Sequence, residues 1–155
     1  MLERGIDQII DKALELNTFG KDFVFRKGQR EIIVKICETY LEDPNSTLVI
    51  DAPTGAGKSL IAMWSAHVLK EMGNRGYMVT SDLSLQDQYE TDFYNYGLRW
   101  PSIKGVDNYE CSVNGLPFSL GDCKLKGMGY EQAEKLPCYN SCEYLQNRRR
   151  AIDQP

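Results

Sequence analysis

One octapeptide constrains the possible folds of this chain more than any other feature. Residues 52–59 read APTGAGKS, which matches the phosphate-binding (Walker A) loop except at its first position, where Ala52 replaces glycine. The short apolar run at residues 46–51 predicts a buried strand before the loop, and apolar residues at helical spacing predict a helix from about Gly57 to Met72. Because strand, loop and helix follow in the order that phosphate binding requires, a glycine-rich turn with an incidental lysine is the weaker interpretation.

The residue types in this loop suit phosphate and magnesium chemistry. Glycines let the backbone curl so that successive N–H groups point at phosphate oxygens, and the following helix adds its positive end. A lysine supplies a mobile charge for the β- and γ-phosphates, and a serine hydroxyl is placed to bind Mg²⁺. Lys58 and Ser59 would carry these catalytic roles, and the candidate binding residues are Pro53, Thr54, Gly55, Ala56, Gly57, Lys58 and Ser59.

The rest of the first hundred residues continues to alternate between helix and strand. Apolar residues at helical spacing predict a helix over residues 28–43, which Asp43 and Pro44 end. The run GYMVT at residues 76–80 predicts a second strand, and Leu85, Tyr89, Phe93 and Tyr96 mark another helix. Strand, helix, strand and helix of these lengths predict an α/β fold with a parallel sheet and flanking helices.

Composition narrows the class of protein further. The 155 residues are 42% hydrophobic with a net charge of -4, which excludes wholesale disorder and argues against a chain-wide electrostatic grip on nucleic acid. A local basic groove remains compatible with that balance. No apolar run approaches the ~20 residues that a membrane span needs, and the first residues do not resemble a signal peptide. We therefore expect a cytoplasmic protein without a membrane partner, in which thiols stay reduced.

The cysteines divide the chain. Only Cys37 lies in the first hundred residues, within the apolar face of a predicted helix, and there it is expected to be core. The other four follow residue 101, which predicts two domains over residues 1–101 and 102–155. Four thiolates suit zinc or an iron–sulfur cluster, although the paired C-x-x-C spacing typical of zinc is absent and packing as small hydrophobes is the structural alternative. These candidate metal ligands are Cys111, Cys123, Cys138 and Cys142.

Several segments resemble motifs of superfamily 2 helicases. The loop APTGAGKS is similar to their motif I, which commonly begins with alanine. FRKGQ at residues 25–29 resembles their Q motif, in which the glutamine reads the adenine edge, so the resemblance implies ATP-binding roles for Arg26 and Gln29. A solvated glutamine near a helix start is the structural alternative for Gln29.

TSDLSLQDQ at residues 80–88 resembles motif Ia, which in the family contacts the phosphates of single-stranded DNA. Thr80, Leu85 and Gln88 match the pattern. Asp82 departs from it, together with its two neighbours, and a carboxylate repels phosphate. An ordinary helix N-cap is the equally weighted alternative for Asp82.

The cysteine segment resembles the XPD/DinG family of DNA helicases. IKGVDNYEC at residues 103–111 is similar to the family's L-K-G-R-x-N-Y-x-C segment, except that Val106 replaces arginine, and CYNSCEY at residues 138–144 is similar to its closing stretch. The resemblance implies a partial RecA-like P-loop domain with an inserted, small, mostly helical domain in which the four cysteines hold a [4Fe–4S] cluster, with zinc as a possible substitute. It further implies ATP and Mg²⁺ as cofactors and 5′ to 3′ translocation on single-stranded DNA.

Other features bear on partners. No D-E-A-H-type acidic (Walker B) string occurs in the sequence, so we expect that motif and a second RecA-like domain from the rest of a helicase, in the same or a longer chain. We also expect little ATP hydrolysis by these 155 residues alone.

Two further groups of residues are candidates for contacts with nucleic acid. Arg148–Arg150 form either a solvated helix end or a phosphate contact. Tyr109, Tyr130, Tyr139 and Tyr144 could stack bases or enclose a cluster. The alternatives are a non-catalytic nucleotide- and metal-binding module and a P-loop nucleotide kinase with a zinc lid.

Overall fold

The structure is a computed structural model that describes residues 2–153. Four helices of similar length come first, namely α1 (Leu2–Glu15), α2 (Gln29–Glu42), α3 (Lys58–Glu71) and α4 (Leu83–Asn95). Three shorter helices follow, namely α5 (Asp122–Leu125), α6 (Tyr130–Ala133) and α7 (Glu143–Asp153), with 3-10 turns at Val106–Asn108, Phe118–Leu120 and Pro137–Ser141. The chain divides into two compact units, one up to Leu98 and one from Arg99 onward. The three helices predicted between residues 28 and 96 are confirmed as α2, α3 and α4.

The prediction of an α/β, partial RecA-like fold with a parallel sheet is wrong. Residues 2–153 contain no strand, and their one β-type pairing is an isolated antiparallel bridge between Glu110 and Pro117. The two segments that were expected to be strands carry exposed side chains, with Val49 85% and Val79 89% exposed. A strand requires hydrogen bonds to a neighbouring strand and cover for its apolar face, and in this structure neither segment has them.

Aromatic side chains form the centre of the first unit. The indole of Trp64 is fully buried and stacks on Phe19, with ring centroids 3.9 Å apart, while Phe23 and Phe25 pack against its other sides at 5.5 and 4.9 Å. The helices α1, α2 and α3 add buried aliphatic side chains to the core of this unit; they are Ile6, Ile10, Ile33, Ile61 and Val68. This packing fixes α3, and with it the residues that begin that helix, against α2.

An ion-pair cluster ties α1 to α2. The guanidinium of Arg30 lies 2.7 Å from carboxylate oxygens of both Asp7 and Asp11, and its hydrogen bond to Asp11 is the largest of the causes that raise its pKa. These groups are only partly buried, so the pairs contribute modestly to stability and mainly set the register between the two helices.

The second unit has a small core of its own. Its buried residues are Tyr109, Phe118, Cys123, Ala133, Cys142, Tyr144 and Leu145. The ring of Tyr144 packs on Phe118 at 4.4 Å and on Tyr109 at 5.3 Å between centroids. Two of the four clustered cysteines therefore belong to this core rather than to a surface loop. Within residues 2–153 no helix is both long and apolar enough to traverse a bilayer.

Candidate nucleotide site and cysteine cluster

The phosphate-type loop runs directly into the first turn of α3. Gly57 is the N-cap of that helix in the left-handed conformation, with φ 82°, and Gly55 has the same φ. Residues other than glycine rarely adopt this backbone conformation, so the turn requires glycine at both positions. Inside the loop the N–H of Ala56 donates to the carbonyl of Pro53 at 3.2 Å. The loop is thus a tight, curled segment at the positive end of a fourteen-residue helix.

Lys58 and Ser59 occupy the first two positions of α3. The ammonium of Lys58 turns back over the loop and donates to the carbonyl oxygens of Ala52 at 2.8 Å and Pro53 at 3.3 Å. Lys58 is exposed, and Ser59 is half-buried. A phosphate oxygen that enters the loop would meet the Lys58 ammonium at the rim of the loop. The ammonium could then exchange its two carbonyl partners for the anionic oxygen.

Arg26, just before α2, and Gln29, the first residue of α2, both reach the loop. The guanidinium of Arg26 donates to the carbonyl oxygen of Gly55 at 2.7 Å, and the amide nitrogen of Gln29 donates to the carbonyl oxygen of Ala56 at 3.0 Å. The structure therefore brings Arg26 and Gln29 together with the loop, as expected of one site. The sequence resemblance implied that Arg26 and Gln29 bind ATP, with Gln29 at the adenine edge. It did not reveal their bonds to loop carbonyls, since backbone partners leave no signal in residue types. The structural alternative of a solvated Gln29 is wrong, because that residue is only 4% exposed.

Asp82 acts as the N-cap of α4. Its carboxylate accepts hydrogen bonds from the hydroxyl of Ser84 and from the backbone N–H groups of Ser84 and Leu85, which together lower its pKa. The capping interpretation of this departure from motif Ia is confirmed. Because the carboxylate is fixed and anionic, the start of α4 presents a negative charge to any approaching phosphate backbone.

The four cysteines of the second unit are free thiols. Cys111, Cys123 and Cys142 are buried, and Cys138 is half-buried. Among residues 2–153 no group of three histidine, cysteine, aspartate or glutamate side chains is arranged to hold a metal ion. The structure therefore does not support the prediction that these cysteines form a [4Fe–4S] site.

The same thiols nevertheless influence one another. Burial is the main cause that raises the pKa values of Cys123 and Cys142, and the charges of Cys111 and Cys138 raise both further. The charges of Cys111 and Cys138 thus act on the two buried thiols of the same unit.

Backbone groups favour a thiolate at the first of these cysteines. Burial acts to raise the pKa of Cys111, but hydrogen bonds from the backbone N–H groups of Val113, Asn114 and Asp122 outweigh it, so that the pKa falls below its usual value. Gly121 packs tightly beside it, and a Cβ at this position would lie 3.2 Å from the sulfur of Cys111. These backbone N–H groups favour an anionic Cys111 sulfur, and both iron and zinc bind sulfur in that form.

A cation–π stack lies in the same unit. Arg148 sits 3.9 Å from the centroid of the Tyr130 ring and Lys124 4.1 Å from it, while the Tyr130 hydroxyl lies 3.3 Å from that of Tyr144. Glu134 forms ion pairs with Arg148 at 3.7 Å and with its neighbour Arg149 at 3.1 Å. Two of the three adjacent arginines are thus engaged within the unit. Sequence reasoning missed this arrangement, because its members come from three separate helices.

Cys37 lies in the core, as predicted, and His67 also lies outside the loop and the cysteine segment. Cys37 is fully buried on α2, and burial, followed by the charge of Glu38, raises its pKa to about 12. His67 is half-buried with its ring edge-on to Phe19 and Trp64, and burial lowers its pKa. Both belong to the packing of the first unit.

Comparison with known families decides the class of this domain. The family model described as type III restriction enzyme, res subunit, matches residues 22–111, which is more than half of the chain. The chain belongs to this family. It is thereby a helicase-type, ATP-dependent domain of superfamily 2, and the predicted resemblance is confirmed at that level. No curated protein and no solved structure matches the chain.

The matched range of this superfamily 2 domain includes every residue of the candidate nucleotide site. It begins shortly before Arg26, contains the loop at residues 52–59 and ends at Cys111. Three of the four clustered cysteines lie beyond it. The family match therefore supports the nucleotide site but gives no information on the other three cysteines.

Proposed function

We propose that this superfamily 2 domain binds ATP with Mg²⁺ in the loop at residues 52–59, as part of an ATP-dependent DNA helicase of the XPD/DinG type. The observation that carries the proposal is the pair of bonds from Arg26 to Gly55 and from Gln29 to Ala56. These bonds hold a glycine loop in a curled form at the positive end of α3, which is the arrangement that binds polyphosphate.

Each residue of the loop has a chemical role in this proposal. Lys58 moves from the carbonyls of Ala52 and Pro53 to the β- and γ-phosphates, where its charge offsets the negative charge that builds up during phosphoryl transfer. Ser59, one position further along α3, supplies a hydroxyl to Mg²⁺. Backbone N–H groups of Thr54, Gly55, Ala56 and Gly57 would line the phosphates, and Pro53, which has no N–H group, would form the turn before them.

The proposal extends to the cysteine cluster. Cys111, Cys123, Cys138 and Cys142 would hold a [4Fe–4S] cluster, which supplies a redox-active, four-thiolate anchor for the surrounding segment. Residue chemistry supports this part of the proposal, since all four are free thiols and backbone N–H groups lower the pKa of Cys111, which favours a thiolate. Residues 1–101 would then form the nucleotide-binding part and residues 102–155 the cluster part. Free thiols in that number suit the reducing cytoplasm.

The remaining partners are single-stranded DNA, along which the helicase would move 5′ to 3′, and the parts of a helicase that supply the acidic Mg²⁺-binding motif and the second helicase domain. Arg149 and Arg150 are both exposed, and no ion pair to Arg150 is seen among the described residues. It is the member best placed for a phosphate contact. Its neighbours already bind Glu134.

One preparation tests both parts of the proposal. The protein is purified without oxygen, and its iron, zinc and visible absorbance are measured before it is titrated with MgATP. Binding of MgATP together with about four iron atoms per chain and broad absorbance near ~400 nm is the expected result. A colourless protein with one zinc that binds MgATP would favour the non-catalytic module instead, and a protein that binds no nucleotide would overturn the proposal.

A further inference from the structure

Arg148 and Arg149 are neighbours on α7, but different contacts hold them. The guanidinium of Arg148 lies 3.9 Å from the centroid of the Tyr130 ring, and the side chain is 27% exposed. The side chain of Arg149 is 53% exposed, and it forms ion pairs with the carboxylates of Glu134 and Asp153. Packing on a ring therefore anchors Arg148, whereas ion pairs at the surface hold Arg149.

One carboxylate serves both arginines. Glu134 ends α6 as its C-cap, and its oxygens lie 3.7 Å from a guanidinium nitrogen of Arg148 and 3.1 Å from one of Arg149. The longer distance is an ion pair without a hydrogen bond, whereas at the shorter one Arg149 also donates a hydrogen bond. Because Arg149 is the more exposed of the two partners, its bond to Glu134 is the one that an external anion can reach.

A phosphate group and a carboxylate compete for the same donors of an arginine. Both anions present oxygens to the guanidinium N–H groups, and charge-assisted hydrogen bonds of this kind are strong. On Arg149 one terminal nitrogen, Nη1, donates to Glu134, and Nε donates to Asp153 one turn further along α7. The two carboxylates therefore occupy donors that a phosphodiester would use, and they already compensate the positive charge of Arg149.

The bond between Glu134 and Arg149 can be exchanged. Ion pairs between partly exposed groups are weak and are screened by salt, so this pair does not lock the arginine in place. A nucleic acid gains more, because each phosphate that an arginine neutralises releases counterions. A polyanion can thus displace Glu134, but it binds less tightly than it would to an arginine without a partner. Displacement leaves Arg148 in place, since that residue keeps its stack on Tyr130.

We infer that Glu134 acts as a built-in counterion that competes with the phosphates of single-stranded DNA for Arg149 and thereby sets the affinity and the salt dependence of α7. The inference rests on the proposed function, in which single-stranded DNA is a partner. It extends the contact surface of α7 from Arg150 to Arg149, which becomes available when Glu134 is displaced. Removing the charge of Glu134 should therefore strengthen DNA binding, which is the opposite of what the loss of a merely structural ion pair would do.

The test measures the binding of a short, labelled oligo-thymidylate to the full 155-residue chain by fluorescence anisotropy, at salt concentrations from about 50 to 200 mM. Glu134→Gln keeps the size of the side chain and removes its charge. Glu131→Gln makes the same change at an exposed position of α6 and is the matched control. A double variant that combines Glu134→Gln with Arg149→Gln shows whether any gain in affinity depends on Arg149.

Glu134→Gln is expected to bind the oligonucleotide about two- to fivefold more tightly than the parent at low salt, with unchanged circular dichroism. The slope of log affinity against log salt should steepen by about 0.7, as for one added phosphate contact on a single strand. Glu131→Gln should bind like the parent, and the double variant should bind no more tightly than the parent.

Three results would overturn the inference: equal gains in the two single variants, no gain in Glu134→Gln, or a gain that survives the loss of Arg149. If the parent binds the oligonucleotide and Glu134→Gln gains nothing, the inference fails alone. If none of the proteins binds it, the single-stranded DNA partner of the proposed function fails as well. Binding of MgATP by the same preparations reports separately on the nucleotide site.

Discussion

The guanidinium of Arg26 donates a 2.7 Å hydrogen bond to the carbonyl oxygen of Gly55, which lies 29 residues further along the chain. Arg26 is exposed, so this bond is the main contact that it makes with the loop. Together with Gln29, it supports the glycine loop from the residues around the start of α2. The phosphate loop of this superfamily 2 domain is therefore built from two stretches of sequence.

Replacing Arg26 by glutamine is expected to weaken MgATP binding by about three- to tenfold, since one partly solvated hydrogen bond contributes about 0.5–1.5 kcal/mol. Lys27→Gln removes the same charge from the adjacent exposed position and serves as the control. Titration calorimetry measures both. Equal losses in the two variants would show that charge alone, rather than the bond to Gly55, matters.

Trp64→Ala is expected to lower the free energy of unfolding of the first unit by about 3–5 kcal/mol, because it empties the space between Phe19, Phe23 and Phe25. The indole N–H has no hydrogen-bond partner among the described residues, so Trp64→Phe forfeits no hydrogen bond and should cost less. Urea unfolding followed by circular dichroism gives the values. A Trp64→Ala protein as stable as the parent would contradict the aromatic core.

Cys37 is expected to be inert to iodoacetamide at pH 8 in the folded protein and to react in urea. Burial raises its pKa to about 12, so only about one thiol in 10⁴ is ionised at that pH. The folded pKa lies above the ordinary value of 9.0, so the associated stability is present below about pH 9 and is lost as the pH rises toward 12.

The free energy of unfolding should accordingly fall more steeply between pH 8 and 10.5 in the parent than in Cys37→Ala. Tyrosines that titrate in this range are present in both proteins, and their contribution cancels in the comparison. Denaturant titrations at the two pH values measure the difference. Parallel declines would show that Cys37 is not shielded from water as the structure has it.

Gly121→Ala should loosen the second unit, whereas Gly129→Ala should not. Both glycines precede a short helix with an extended backbone and negative φ, so alanine is allowed at either position. A Cβ at Gly121 would lie 2.9 Å from the carbonyl oxygen of Phe118 and 3.2 Å from the sulfur of Cys111, but at Gly129 it meets nothing within 4 Å. We expect a loss of about 1–3 kcal/mol for Gly121→Ala and little change for Gly129→Ala, measured by hydrogen exchange of the second unit. Similar exchange in both variants would contradict the packing around Cys111.

Local features of this structure could be read from the sequence. The cap at Asp82 involves residues two and three positions away, and α3 begins where the glycines of the loop end. Helical periodicity located α2 and α4 for the same reason, since a helix makes its backbone bonds within the segment itself. Predictions succeeded where the partners are neighbours in the chain.

Non-local relationships were not accessible in this way. The apolar run at residues 46–51 shows which residues favour burial but not what covers them, and in this structure Val49 remains exposed. The bond from Gln29 to Ala56 spans 27 residues and ends on a backbone carbonyl, which every residue type carries. The four cysteines predicted thiolate chemistry, but residue type cannot specify the distances that decide whether they hold a metal.

The central claim is that the loop at residues 52–59 binds the triphosphate of ATP, and Lys58 tests it most directly. MgATP binding to the parent, to Lys58→Ala and to Lys70→Ala is measured by calorimetry, where Lys70 is an exposed lysine in the last turn of the same helix. Charge-assisted bonds contribute about 1.5–3 kcal/mol, so Lys58→Ala should bind about 10- to 150-fold more weakly, with unchanged helix content and normal binding by Lys70→Ala. Equal affinity in all three proteins would contradict the account.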